Sequence, residues 1–310
     1  HKICFVLLMT TFPSVYGGSC FEKPYDVDDC RVRAEQGNSK SQNNLGLMYD
    51  KGYGVVQEYK EAVRWFRLAA EQGVLEAQYN LGNKYKNGEG VVQDYKEAVK
   101  WYRLAAEQGD SDAEYNLGFM YEKGQGVVQD YKEAVKWYRK STEQGNSKAQ
   151  NNLGTMYYKG YGVVQDYKEA VRWFRLAVEQ GNSKAQNNLG LMYAKEQGVV
   201  QNYKESVRWF RLAAEQGDSD AEYNLGVMYE RGVGVTQDYK EAVRWWWKSA
   251  EQGDSKAQNN LGYMYDKGQG VLQDYKEAVK WYRKAAEQGF NSAQLNLGLM
   301  YVKGQGVLQD

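Results

Sequence analysis

One motif recurs every 36 residues from Ala34 almost to the end of the 310-residue chain. A clear copy starts with Ala-Glu-Gln-Gly at residues 106–109, and the motif's glycine returns at Gly37, Gly73, Gly109, Gly145, Gly181, Gly217, Gly253 and Gly289. A fixed period in this range is typical of one supersecondary unit stacked many times, because a single unit cannot bury its own apolar face. The sequence therefore predicts one continuous solenoid rather than two globular domains.

The first half of each copy predicts a helix, which we call helix A. Six of the eight copies contain a serine three residues before Glu or Gln, as in Ser111 and Glu114, so we expect the serine to cap the helix start. Gly124 is expected to end helix A, since glycine commonly follows a helix. The predicted buried face recurs at helical spacing: Ala113, Leu117, Met120 and Tyr121.

A loop at residues 124–129 leads to a second helix, helix B. Its two glycines allow positive φ, and we expect Val127 and Val128 to pack beneath it. Asp130 and Glu133 have the spacing of an N-terminal cap, and Gly145 is expected to end helix B. The prediction is an all-α, α/α superhelical solenoid of about eight helix pairs over residues 34–310, the last pair without its helix B.

Several positions hold the same residue in successive copies. Gly46 recurs in all eight copies in the middle of helix A, which predicts close approach of a neighbouring helix. Trp65 recurs seven times in helix B and Tyr59 recurs with it, so we expect both columns in the core. The tryptophan triplet at residues 245–247 predicts either an exposed patch for a partner or two tryptophans packed inside with the third at the rim. Glu196 replaces a loop glycine, and we expect a local rearrangement there.

The first 33 residues precede the repeats. Lys2 and a short apolar run predict a signal peptide over residues 1–19 and therefore a secreted or periplasmic protein. Residues 20–33 are expected to form a linker containing Cys20 and Cys30. These cysteines either form a disulfide in an oxidising compartment, or Cys20 carries a lipid that anchors the protein to the cell envelope.

Composition narrows the classes of function. Lys plus Arg and Asp plus Glu both number 40, so no net charge favours nucleic acid as a partner. All three cysteines precede the repeats, and the one histidine is His1. The repeats therefore offer no Cys/His pair for catalysis and no histidine or cysteine metal ligand, and we expect neither a metal nor a cofactor.

The pattern Ala-x-x-x-Leu-Gly-x-x-Tyr, then Gly-x-Gly-Val, then Tyr-x-x-Ala-x-x-Trp resembles the Sel1-like repeat family, relatives of the tetratricopeptide repeats. The resemblance covers about nine tenths of the chain, from Ala34 to Asp310. It implies a superhelical adaptor for protein interactions, commonly bacterial and exported. Some cysteine-rich members are described as β-lactamase-like with a disulfide in each repeat, and the repeats here contain no cysteine.

The most variable positions lie on helix A opposite its buried face. By the same resemblance they would line the concave side of the array, and we call the positions of Asn43, Leu47 and Asp50, with their equivalents in later copies, the helix-A face. Variation there fits a recognition surface or simple drift of exposed positions. The candidate binding residues are Asn43, Leu47, Tyr79, Asn83, Tyr115, Phe119, Asn151, Thr155, Tyr223, Val227 and Tyr263.

Three functional hypotheses follow from these features. The first is a monomeric, noncatalytic, exported scaffold that binds a protein or peptide along the helix-A face, with its rings supplying contact area and its amides bonding the bound backbone. The second is a hydrolase of β-lactams or peptidoglycan. The third is an envelope protein that touches the membrane through a lipid on Cys20. The Asn44 column beside this face predicts either a ladder of amides for a ligand or hydrogen bonding between repeats.

Overall fold

A computed structural model of the protein describes residues 26–307. Within that range the chain forms sixteen α-helices and no strand, as predicted for an all-α solenoid. The helices are α1 Val27–Glu35, α2 Ser39–Lys51, α3 Tyr59–Glu71, α4 Leu75–Asn87, α5 Tyr95–Glu107, α6 Ser111–Lys123, α7 Tyr131–Glu143, α8 Ser147–Lys159, α9 Tyr167–Glu179, α10 Ser183–Lys195, α11 Tyr203–Glu215, α12 Ser219–Arg231, α13 Tyr239–Glu251, α14 Ser255–Lys267, α15 Tyr275–Glu287 and α16 Asn291–Lys303.

The helices alternate between the two predicted kinds. Even-numbered helices from α2 onward are helices A, and odd-numbered helices from α3 onward are helices B. The described part of the chain divides into two compact units, residues 26–144 and 145–307. Inside each unit, every described helix packs against the next one along the chain. Each unit is therefore a stack of helix pairs, as expected when one pair cannot bury its own apolar face.

Helix A begins one residue earlier than the serine caps predict. Asp110 has the extended backbone of a cap, and its carboxylate accepts a hydrogen bond from the Ala113 amide at 2.6 Å. Ser111 is already helical, so the predicted serine cap is wrong. Asp and Asn cap at least as well as Ser, because a planar side-chain oxygen reaches the free amides of the first turn. Helix A ends at Gly124 in the left-handed conformation, as predicted.

The start of helix B agrees with the prediction, whereas the loop before it agrees only in part. The Asp130 carboxylate accepts hydrogen bonds from the amides of Lys132 at 2.8 Å and Glu133 at 3.1 Å. Val127 packs against the core, but Val128 is 88% exposed. The prediction that both valines pack beneath the loop is therefore wrong for the second, which lies on the outer side of the turn.

The helical glycines lie where two helices nearly touch. A Cβ added to Gly118 would lie 2.8 Å from the ring of Tyr138 on the next helix, well inside normal contact. Equivalent glycines meet the ring of Phe66, Tyr102, Phe174, Phe210, Trp246 or Tyr282 at similarly short distances. The close approach predicted from the Gly46 column is confirmed, and the absent side chain lets helices A and B of one pair pack together.

The tryptophan column joins one helix pair to the next. Trp101 is 6% exposed and packs in one buried cluster with Leu81 of its own helix pair and Phe66 of the preceding pair. In the triplet, Trp245 and Trp246 are buried and Trp247 is 48% exposed, which confirms the packed alternative and not the exposed patch.

The tyrosine column that recurs with these tryptophans lies at the edge of the core. Tyr59 and Tyr203 are each 39% exposed, so the prediction that the column is buried is wrong for these two. Tyr95, Tyr167, Tyr239 and Tyr275 are half-buried and pack against the core. This tyrosine is the first residue of helix B, where the chain leaves the loop.

The predicted linker at residues 20–33 contains part of a helix. Helix α1 packs against α2 and buries Cys30 and Ala34, so the linker assignment is wrong for its C-terminal part. The Ala34 carbonyl accepts a hydrogen bond from Gln42, as the Ala70 carbonyl does from Gln78, so α1 takes the place of a helix B.

Cys30 is bonded in a disulfide. The signal peptide and Cys20 lie outside the described residues, so the Cys20–Cys30 pairing stays a prediction.

Glu196 does not rearrange its loop. It adopts the left-handed conformation with φ 57°, as the glycines do at this position in the other pairs. The expectation of a local rearrangement is wrong because the neighbouring contacts impose the loop conformation on a residue that tolerates it at some cost.

Candidate functional site

The helix-A face is less accessible than the sequence suggests. Tyr263 is 41% exposed, but three residues predicted on this surface, Asn43, Asp50 and Asn151, are only 3%, 6% and 6% exposed. Their assignment to an open surface is therefore wrong. The other candidates are half-buried: Leu47, Tyr79, Asn83, Tyr115, Phe119, Thr155, Tyr223 and Val227.

A ladder of asparagines explains this burial in the second unit. The Asn188 amide donates to Asn151 Oδ1 at 2.9 Å, and Asn224 donates to Asn187 at the same distance. The Asn296 amide donates to Asn259 in the same way at 3.1 Å. Each bond joins one helix A to the next, so in this unit the recurrent asparagine links repeats, as the structural interpretation of the sequence predicts. Buried amides need such partners because burial without them costs free energy.

A second ladder was not foreseen from the sequence. The glutamine of each Glu-Gln-Gly motif caps the end of helix B and bonds back to the start of helix A, as Gln108 does to Gln78 at 2.8 Å. Gln78 in turn donates to the Ala70 carbonyl at the end of the preceding helix B. The signal was present in the sequence, since this glutamine occurs in every copy.

In two pairs the ladder contains a buried acid instead of an amide. Glu114 and Glu222 are 4% and 3% exposed, and each accepts a hydrogen bond from a glutamine, Gln144 at 3.0 Å and Gln252 at 2.8 Å. Burial raises the pKa of both carboxyls, because the charged form is poorly solvated there. Unlike the Gln78 amide, an ionised carboxylate also cannot donate a hydrogen bond to the carbonyl at the end of the preceding helix B.

We expect Glu114→Gln with Glu222→Gln to stabilise the protein at neutral pH. A raised folded-state pKa means that the folded chain holds more protons than the unfolded chain, so stability falls as pH rises through the ordinary pKa of Glu and then the raised one. The double variant has no glutamate to cause this fall at the two positions. Its free energy of unfolding should therefore exceed that of the parent protein by about 1 kcal/mol at pH 7 and by less at pH 4. Urea unfolding at both pH values measures it.

The reverse substitution provides a matched control. Gln150 occupies the same ladder position in an amide-containing pair, where Gln180 donates to it at 2.9 Å. Gln150→Glu should therefore lower stability at pH 7 more than at pH 4. Equal effects at the two pH values in both variants would show that these positions do not carry the predicted linkage.

Small recesses open between successive helices A of the second unit. The recess between α8 and α10 has a volume of about 190 Å³ and is lined by Thr155, Tyr158, Lys159, Phe174, Asn188, Leu191 and Met192. The recess between α14 and α16 has a volume of about 100 Å³ and is lined by Tyr263, Asp266, Lys267, Tyr282, Asn296, Leu299, Met300 and Lys303. Apart from Lys303, these linings occupy equivalent positions three repeats apart. The helix-A face is therefore indented in the same way at different places.

An aromatic ring of helix B packs beneath helix A and determines how polar the space beside it is. Tyr102 donates its hydroxyl to Asn83 at 2.7 Å, and Tyr138 donates to Glu122 at the same distance. Burial raises the pKa of Tyr102 and of Tyr282, so both hydroxyls stay protonated at neutral pH. Where the ring is Phe174, no hydroxyl occupies this space, which leaves the larger and more apolar of the two recesses.

In one helix pair of the first unit, a buried ion pair takes the place of a packed methionine side chain. Lys84 takes the place of a core methionine and forms ion pairs with Asp50 and, at 2.6 Å, with Glu89. Its ammonium also lies 4.5 Å from the centre of the Tyr59 ring. The charge is thus compensated from three sides, which a buried lysine requires.

Residues 26–307 show no group of histidine, cysteine and acidic side chains that could hold a metal ion. None of the helices described in this range is both long and apolar enough to cross a bilayer.

A family model described as Sel1 repeat matches eight consecutive segments: residues 39–74, 75–110, 111–146, 147–182, 183–218, 219–254, 255–290 and 291–310. Each segment starts at the first residue of a helix A. No curated protein matches the sequence significantly.

Two solved structures combine high sequence identity with broad coverage. One is c5321, a protective antigen of uropathogenic Escherichia coli with an SLR fold, which is 43% identical, with a TM-score of 0.77 over 92% of this chain. This chain spans 61% of the length of that protein. The other is a Sel1 repeat protein from Oxalobacter formigenes, which is 37% identical over 91% of this chain and 82% of its own, with a TM-score of 0.65.

Proposed function

Because the chain belongs to the Sel1 repeat family, whose members are generally protein-interaction scaffolds, we propose that it is a noncatalytic, exported scaffold that binds a protein or peptide partner along the helix-A face. The observation that carries this proposal is the pair of recesses between helices A, which share one framework but differ in polarity and volume. A constant framework with variable walls is suited to selective binding, because each repeat can contact a different side chain of the partner.

Partly exposed aromatic residues of the face can supply contact energy. The ammonium groups of Lys86 and Lys123 lie 5.4 and 5.6 Å from the centre of the half-buried Phe119 ring. Tyr263 is exposed beside the smaller recess. Aromatic side chains are favoured anchors at protein interfaces because each buries a large area on binding.

Two observations support export. Cys30 is bonded in a disulfide, and disulfides persist mainly in oxidising compartments outside the cytosol. The Escherichia coli relative is described as a protective antigen, which fits a protein that meets the host. The proposed location is the periplasm or the exterior of the cell, with a lipid on Cys20 as the alternative means of retention.

We expect a variant with Phe119, Val227 and Tyr263 all changed to serine to lose its partner. The experiment is affinity capture with chemical cross-linking from the native envelope fraction and from host-cell lysate. The three side chains lie on helices A and are at least partly exposed, so the fold should survive, which circular dichroism can verify. Capture should fall at least about tenfold, as expected when several interface anchors are removed.

Helix B offers a matched control. Leu68, Leu104 and Leu212 are each 37% exposed on helices B, so changing all three to serine removes a similar amount of apolar surface elsewhere. This control should capture the same partner as the parent protein. A partner that is lost from the helix-B variant and kept by the helix-A variant would contradict the proposal.

A further inference from the structure

In both units, buried glutamines close the contact between the end of a helix B and the start of the next helix A, which we call a joint. The Gln78 amide nitrogen donates to the Ala70 carbonyl at 3.2 Å, and its oxygen accepts a hydrogen bond from Gln108 at 2.8 Å. Gln258 donates to the Ala250 carbonyl at 3.1 Å in the same way. The glutamine amide therefore bonds with its nitrogen to the helix before it and with its oxygen to a glutamine after it.

Glutamate replaces this glutamine at two joints, α5–α6 in the first unit and α11–α12 in the second. One oxygen of each buried carboxyl accepts the bond from the following glutamine, Glu114 from Gln144 at 3.0 Å and Glu222 from Gln252 at 2.8 Å. By equivalence with Gln78, the second oxygen takes the place of the amide nitrogen, next to the carbonyl that ends the preceding helix B. An ionised carboxylate has no hydrogen there, so the donor that closes the glutamine joints is missing.

The carbonyls at the two glutamate joints belong to Ala106 and Ala214. Each accepts one backbone hydrogen bond, from the Gly109 amide at 3.1 Å or from the Gly217 amide at 3.0 Å. A carbonyl oxygen has a second lone pair, which the side-chain amide uses at the glutamine joints. A protonated carboxyl has one O–H donor, so a proton on the glutamate supplies the bond that is otherwise lacking.

The surroundings of Glu114 favour its neutral form. Burial is the largest cause of its raised pKa, because α5 and α7 exclude water from the carboxyl. The Gln144 bond and the Lys140 ammonium on α7 lower this pKa, whereas the carboxylates of Glu143 on α7 and Asp110 before α6 raise it. From α5, the group next to the carboxyl is the Ala106 carbonyl, which also favours the protonated form.

Glu222 has surroundings of the same kind. Burial is again the largest cause of its raised pKa, Lys248 and Gln252 lower it, and Asp218 raises it. A carboxyl whose folded-state pKa is raised takes up its proton at a higher pH in the folded chain than in the unfolded chain. The bond that this proton forms is therefore present in acid and is lost as pH rises through the raised pKa.

We propose that Glu114 and Glu222 are two proton-binding sites that close the α5–α6 and α11–α12 joints in acid. A proton from solvent binds the carboxyl oxygen next to the Ala106 or Ala214 carbonyl, the carboxyl becomes neutral, and the new O–H donates to that carbonyl. When the proton returns to solvent, the joint keeps only the glutamine bond on the other oxygen. Each unit thus contains one joint that tightens in acid beside a joint that a glutamine closes independently of pH.

Hydrogen exchange measured by mass spectrometry on the full chain at pH 4 and pH 7 tests this proposal. Each rate is divided by the rate of an unstructured peptide at the same pH, and protection is expressed relative to residues 72–78 at the Gln78 joint. The amides of residues 108–114 and 216–222 should be about fivefold better protected at pH 4, as expected for one additional hydrogen bond. Equal relative protection at the two pH values would overturn the proposal.

Variants separate proton binding from a general effect of pH. Glu114→Gln should keep the α5–α6 joint closed at both pH values and Glu114→Ala should leave it open at both, while residues 216–222 still respond to pH. Gln258→Glu is the converse change and should make residues 252–258 newly sensitive to pH. Circular dichroism verifies that each variant is folded at both pH values. A pH effect that survives in Glu114→Gln, or none gained in Gln258→Glu, would contradict the assignment.

Nuclear magnetic resonance reports the proton itself. With glutamate labelled with carbon-13 at the side-chain carboxyl, two resonances should titrate at a higher pH than those of the exposed glutamates. Glu114→Gln should remove one of them and Glu222→Gln the other. If the two buried carboxyls titrate together with the exposed ones, they are not proton-binding sites of the kind proposed.

Discussion

Changing Trp101 to alanine should lower the free energy of unfolding by about 3–5 kcal/mol, the usual cost of deleting a buried tryptophan side chain. Trp101 is 6% exposed and packs in one buried cluster with Leu81 on helix A of its own pair and Phe66 on helix B of the preceding pair. Its indole nitrogen has no hydrogen-bond partner, so the loss is one of packing and of the contact with the Lys100 ammonium 5.1 Å from the ring centre. Urea unfolding followed by circular dichroism at 222 nm measures the effect.

Trp247 provides the control for the same substitution. It is 48% exposed on a helix B, next to two buried tryptophans. Trp247→Ala should change stability by less than about 0.5 kcal/mol, as for most surface substitutions. If the two variants lose the same stability, the tryptophan column does not join the helix pairs in the way described above.

Changing Gly226 to alanine should destabilise the protein by about 1–3 kcal/mol, although alanine is the better helix former. An added Cβ would lie 2.5 Å from the ring of Trp246, which is 1% exposed and donates its indole N–H to the Tyr223 carbonyl at 3.1 Å. The ring has no free space to move into, so helices α12 and α13 must separate. A thermal melt and urea unfolding should both show the loss.

The matched control substitution should change the free energy of unfolding in the opposite direction. Gly298 occupies the same position in α16, and a Cβ there would meet nothing within 4 Å. Gly298→Ala should therefore stabilise the protein by about 0.5–1 kcal/mol through helix propensity alone. A loss at Gly298, or a gain at Gly226, would mean that the glycine column is not set by the approach of helix B.

The sequence predicts the helix pairs well because their signals are local and repeated. Glycines that end helices, Asp residues that cap them and the helical spacing of apolar residues each act within a few residues. The repeat presents these signals again in every copy. The same locality explains the errors. Asp110 and Ser111 can both cap a helix, and Val127 and Val128 can both pack under a loop, so only the course of the backbone decides between them.

The candidate site was harder to predict because its accessibility depends on the spacing of successive repeats. Asn151 is a polar residue of the kind expected at a surface. It is nevertheless buried beside the next helix A, where Asn188 donates a hydrogen bond to it. The recess next to it depends on Phe174, a core ring whose neighbours follow from packing rather than from a motif. Contacts between residues some 36 positions apart are not encoded in the local pattern of one repeat.

Site-specific photo-cross-linking tests the central claim most directly. A photoreactive phenylalanine analogue at position 263 would lie on a helix A, and the same analogue at position 247 would lie on a helix B, at sites where the native residues are 41% and 48% exposed. With the captured partner present, the account predicts an adduct from position 263 and none from position 247. An adduct from position 247 alone would contradict binding along the helix-A face.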